Sequence, residues 1–173
     1  MIKQKSLNQG FTLIELLIVI AIIAILAAVA FVALDPLTRF QDARDSARWT
    51  DTTALLSAIK VDQVDNRGSY VYGVNNTATA TPIVAGFEYM ISAATTTTGC
   101  NVTECSVIDV ASECVNLQDL VTEGYLGALP VSPNGSGSWS SAYTGYYMIQ
   151  NANGSITIGA CEAEGVSSIT VTR

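Results

Sequence analysis

The hydrophobic and polar positions of this chain fall into three unequal stretches. Residues 11–34 are apolar at 22 of 24 positions, the exceptions being Thr12 and Glu15. As a helix this stretch rises about 36 Å, enough to cross a hydrocarbon core of about 30 Å. Over 35–67 small or apolar residues recur every third or fourth position: Leu37, Phe40, Ala43, Ala47, Thr50, Ala54, Ala58 and Val61. That spacing predicts an amphipathic helix with those residues turned inward. The charges between them, Asp45, Arg48 and Asp62 included, alternate in sign as on a solvated face. No glycine interrupts 11–67, and Gly68 supplies a stop. An unbroken helix over those residues would be about 85 Å long. Pro36 has two readings. It kinks the helix, or it opens a separate one with Asp35 as N-cap.

Residues 68–173 read as a β-rich domain. The segments 144–150 and 155–160 are rich in aromatic and β-branched residues and flank Asn151-Ala152-Asn153-Gly154, a hairpin pattern with a four-residue loop. Residues 168–172 and 106–110 supply further strands, and 113–124 a short helix with Leu117, Leu120 and Val121 inward. Stretches rich in Ser, Thr, Asn and Gly at 75–81, 95–99 and 133–141 are loops. Packing the sheet on the amphipathic helix gives an α+β architecture, one long helix against a small antiparallel sheet.

Charge narrows the chemistry. From residue 69 onward there are eight acidic residues and one basic, Arg173, so the domain has no clustered cations with which to bind nucleic acid. Histidine is absent, which removes the commonest general base and the commonest zinc ligand. Asp109, Glu113, Glu162 and Glu164 have no evident partner and read as solvated surface. No catalytic residue, metal or cofactor is expected. The cysteines Cys100, Cys105, Cys114 and Cys161 lack C-x-x-C spacing for zinc and allow three disulfide pairings in an exported domain. Cys100 with Cys105 and Cys114 with Cys161 is the favoured set. Asn75, Asn101, Asn134 and Asn153 each begin an N-x-S/T tripeptide.

The most specific feature is the junction Asn8-Gln9-Gly10-Phe11-Thr12-Leu13-Ile14-Glu15-Leu16, where a polar leader meets the apolar stretch abruptly. Lys3 and Lys5 keep the leader cytoplasmic, so that the chain beyond the span is exported. An ordinary secretory h-region is only about 7 to 15 residues long. Glu15 needs an explanation of its own. A carboxylate within a span costs a few kcal/mol, and no Lys or Arg lies between 11 and 34 to answer it. A cation must come from outside the segment.

This junction resembles the type III signal of type IV pilins and pseudopilins. The resemblance implies a prepilin peptidase that cuts after Gly10 and N-methylates Phe11. It also implies that Glu15 of an incoming subunit pairs with the Phe11 amine of one already assembled. It divides the chain into a leader (1–10), a membrane and filament-core helix (11–34), an amphipathic helix (35–67) and a globular domain (68–173). Its partners would be further copies of itself, the peptidase, the pilus assembly machinery and, before assembly, the cytoplasmic membrane; its destination would be a cell-surface filament for adhesion or motility. A secretion pseudopilin or minor pilin is the alternative, and a membrane-anchored receptor or enzyme a third. Residues 125–133, followed by Gly145-Tyr146, are similar to a stretch of pilins and major pseudopilins that often carries an aspartate where Ser132 stands. Without that carboxylate a calcium site is not expected.

Overall fold

A computed structural model describes residues 10–66, 83–93, 105 and 114–173. The chain divides into two compact units, Met1–Arg39 and Phe40–Arg173. The first contains α1, Leu13–Leu34, whose Leu, Ile and Ala content favours helix and leaves it apolar on every side. None of its residues is buried. It is long and apolar enough to cross a membrane.

α1 ends at Asp35, where φ is 36° and the backbone turns left-handed. Asparagine and aspartate tolerate this region because a short polar side chain can bond locally. Here the Asp35 carboxylate accepts the Thr38 hydroxyl at 2.7 Å. Pro36 then opens α2, Pro36–Asp65, at the position where its missing amide hydrogen costs least. The helical run is thus broken at Asp35 and Pro36 opens a second helix, as in the second reading, but Asp35 is the C-cap of α1 and no side-chain N-cap bond to the α2 backbone is seen among the described residues. Gly68 lies outside the described residues.

From Phe40 onward α2 belongs to the second unit. Its buried residues are Asp45, Arg48, Thr52, Leu55, Leu56, Ala58, Ile59 and Asp62. Of the inward face expected from the sequence, Ala58 alone is buried; Ala43, Thr50, Ala54 and Val61 are exposed. The physical reason is size. Burying a leucine or isoleucine gains about 1.5–3 kcal/mol, against about 0.8 kcal/mol for a methyl group. Leu55, Leu56 and Ile59 therefore decide which side faces the sheet, and they carry three charges inward with them.

The sheet comprises β1 (Glu88–Ser92), β2 (Cys114–Asn116), β3 (Tyr146–Gln150), β4 (Ile156–Ala160) and β5 (Thr170–Thr172), in the order β2-β1-β3-β4-β5. β1 and β2 are parallel and the other pairs antiparallel, so the sheet is mixed where an antiparallel one was expected. A parallel pair needs a crossover of a dozen or more residues, and 93–113 supplies it. Where a helix over 113–124 was expected, the chain forms β2 and then one turn of helix, α3 (Asp119–Thr122), with Leu117 and Leu120 buried. The expected strand over 106–110 and the loops 75–81 and 95–99 lie outside the described residues.

Alternation along the strands makes two apolar layers. Tyr89, Ile91, Tyr146, Met148, Ile156 and Ile158 join Leu55, Leu56 and Ile59 of α2 in the main core. Met90 and Tyr147 face the opposite side with Cys105 and Trp139. Gly159 is required there, because a Cβ on it would collide with the Tyr147 ring. The hairpin between β3 and β4 forms as expected. Its turn is closed by Asn151 N–H donating to the Ser155 carbonyl at 2.8 Å and Gly154 N–H to the Asn151 carbonyl at 2.9 Å.

Candidate functional site: the head of α1

Thr12 is the N-cap of α1, in an extended conformation with φ −79° and ψ 150°. Its hydroxyl oxygen accepts the Glu15 N–H at 3.3 Å. Glu15 reciprocates, its carboxylate accepting the Thr12 N–H at 3.0 Å and the Thr12 hydroxyl at 2.6 Å. This is a capping box, satisfying two donors that a helix start leaves open. The carboxylate also sits where the helix macrodipole favours negative charge. The sequence-based view of Glu15 as a charge without a local partner is corrected to that extent. Thr12-x-x-Glu15 is the signal that could have shown it. What the box supplies is dipoles, and the charge still has no cation between 11 and 34.

Gly10 and Phe11 precede the cap in non-helical backbone, and both are exposed, Phe11 at 78%. The bond between them is therefore in accessible chain directly before the first helical turn. Lys3 and Lys5 lie outside the described residues.

A second polar constellation lies in the unit Phe40–Arg173. Arg48 is fully buried, and it makes four hydrogen bonds and a further ion-pair contact. Nη1 donates to Asp45 at 2.7 Å and to Glu164 at 2.8 Å. Nη2 donates to the Pro133 carbonyl at 2.9 Å and lies 3.2 Å from Glu162, while Nε donates to Ser132 Oγ at 3.1 Å. Arg44 binds Glu164 through both carboxylate oxygens. Asp45 accepts the Glu164 and Gly165 N–H groups at 3.1 Å and 2.7 Å. Glu162 accepts Ser136 N–H, the Ser136 hydroxyl at 3.0 Å and the Trp139 indole at 3.1 Å.

Glu162 and Glu164, expected as solvated surface, are thus the counterions of α2. Residues more than a hundred positions apart cannot be paired from sequence spacing. The Arg44 hydrogen bonds, opposed by burial and helped by Arg48, hold the Glu164 carboxyl at about 2. Burial pushes Glu162 up, but its hydrogen bonds from Ser136 and Trp139 and the charge of Arg48 outweigh this, and its pKa is lowered. Ser132 is held by the Arg48 guanidinium. Asp109 and Glu113 lie outside the described residues.

The favoured disulfide set is also corrected. Cys105 bonds Cys161, with Cα atoms 4.7 Å apart. Cys114 is disulfide-bonded as well, and Cys100 lies outside the described residues. Cys114 cannot reach Cys161, because β1 and β3 stand between β2 and β4. Three strand spacings are about 14 Å, twice what a disulfide spans.

The fold of the second unit, a helix on a small mixed sheet, together with an apolar helix whose head is built around Gly10, Phe11 and Glu15, is the α+β architecture of the pilin fold. Residues 5–31 match the prokaryotic N-terminal methylation motif, which is typical of type IV pilins and prepilin-like proteins. No curated protein and no solved structure matches the chain.

Proposed function

We propose that this chain is a structural subunit of a type IV pilus, made as a prepilin, cut after Gly10, methylated at Phe11 and polymerised through α1 into a helical surface filament. The observation that carries the reading is the methylation motif over 5–31, set on a helix with no buried residue and a single carboxylate at its head. A helix apolar all round is stable only in lipid or packed among other apolar helices. The first applies to a membrane-held precursor and the second to a filament core. Cutting after Gly10 places an ammonium group at Phe11, four residues from Glu15. In a low-dielectric core an unanswered carboxylate is costly, so each new subunit is drawn to the depth at which its Glu15 meets a neighbour's amine. The charge sets register, as a lone polar residue does in a coiled coil.

The chain's role on this reading is architectural rather than catalytic. In pseudopilins loop carboxylates near this region bind calcium, whereas here Ser132 is bound to Arg48 and 133–143 holds no Asp or Glu, which favours a pilus subunit over a pseudopilin. Mass spectrometry of fibres sheared from the native cell tests the proposal: the chain should be the bulk component and begin with methylated Phe11. A chain retaining residues 1–10 in its working form overturns it. Gly10→Val should leave an uncut precursor in the membrane. Glu15→Leu should be cut normally yet form few or no fibres, and unimpaired fibres would remove the pairing from the mechanism.

A further inference from the structure

The tripeptide Asn-Gly-Ser occurs twice among the described residues, at 134–136 and at 153–155. The two copies are placed differently. At 153–155 the tripeptide lies on the exposed turn between β3 and β4. The Asn153 side-chain oxygen accepts both the Ser155 N–H at 3.0 Å and the Ser155 hydroxyl at 2.8 Å. Asn151 orients that hydroxyl by donating to it at 3.0 Å. Oδ1 is thus held by two donors, Asn153 is exposed, and its Nδ2 makes no hydrogen bond among the described residues. The glycine between Asn153 and Ser155 is also open: a Cβ built on Gly154 meets nothing within 4 Å.

At 134–136 the asparagine is exposed too, but the hydrogen-bond pattern and the space at the glycine differ. Asn134 Oδ1 accepts Trp139 N–H at 2.8 Å, from a different part of the loop. The Ser136 hydroxyl donates to Glu162, not to the asparagine. A Cβ on Gly135 would collide with the Glu162 carboxylate and lie 2.7 Å from Glu164 Oε1, so this copy is packed against the Arg48 cluster.

We propose that Asn153 is a glycan acceptor and that Asn134, in the same tripeptide, is not. The donor class is a sugar activated on a lipid phosphate and transferred by a membrane glycosyltransferase on the exported side. Asn153 Nδ2 attacks the anomeric carbon, and a nitrogen–carbon bond forms. The carbon–oxygen bond to phosphate breaks, its electron pair leaves with the lipid phosphate, and the Nδ2 proton passes to a base of the transferase. The proposal rests on the reading that Phe40–Arg173 is exported.

The test is peptide mass spectrometry of the full chain from its native cell, covering the N-terminus and both tripeptides. A sugar mass is expected on Asn153 and none on Asn134. Asn153→Gln and Ser155→Ala should lose it completely; Ser155→Thr and Asn134→Gln should keep it. Bare Asn153 on chains that begin with methylated Phe11 overturns this proposal while leaving the filament reading intact. Bare Asn153 on uncut chains overturns both. Glycosylated Asn153 on uncut chains supports the acceptor and counts against the filament, and sugar on Asn134 overturns the distinction between the copies.

Discussion

The head of α1, on the proposed membrane and filament reading, and the Arg48 cluster each hold carboxylate charge where water is scarce, and they treat it in opposite ways. Around Arg48 three carboxylates, two guanidinium groups and a set of loop donors close on one another, so that the charge of Arg48 is answered within the chain. At Glu15 the chain supplies only Thr12, and the countercharge is left to come from elsewhere. A charge satisfied internally belongs to the fold; one left incomplete belongs to assembly. The difference predicts separable effects on stability and on polymerisation.

On the melting of Phe40–Arg173, followed in the detergent-solubilised full chain, the largest effect should come from Arg48→Met. It strands Asp45 and Glu162 without their cation and leaves Glu164 to Arg44 alone, and breaking a buried pair in this way costs about 3–5 kcal/mol. Unchanged melting would mean that the cluster is not a structural unit. Cys105→Ala combined with Cys161→Ala should cost up to about 4 kcal/mol, because the bridge closes a loop over a sequence separation of 56 residues.

Acid should act more gently. Glu164 titrates at about 2 in the folded chain against an ordinary value of 4.5, so the unfolded chain binds more protons between those values. Its contribution is complete above pH 4.5 and drains away as pH falls toward about 2. The melting temperature of Glu164→Gln should fall less steeply across that window than that of the parent. Glu15→Leu should leave the melting of Phe40–Arg173 unchanged while removing fibres, and a lowered melting temperature would break the contrast between the two regions.

Legibility in the sequence tracks the range of the interactions. α1 was legible because 22 apolar positions in 24 admit little else, and the hairpin because its turn residues stand between two β-branched runs. The capping box was legible too, as Thr12-x-x-Glu15, though Glu15 reads first as a lone charge. The buried face of α2 was not. Ala43, Thr50, Ala54 and Val61 repeat at helical spacing as regularly as Leu55, Leu56 and Ile59, and only bulk and distant counterions break the tie. Arg48 looks like a surface residue until Glu162 and Glu164 are brought to it from the far end of the chain. β1 escaped for a different reason. Buried on both sides, Tyr89, Met90 and Ile91 show no alternation to mark a strand.

The link between Cys105 and Cys161 has a practical consequence. Any single backbone scission at 106–160, including one at the exposed residues 134–136, leaves both fragments attached through sulfur. A chain clipped there by a protease migrates as one species on a denaturing gel and separates into two only once a reductant is added.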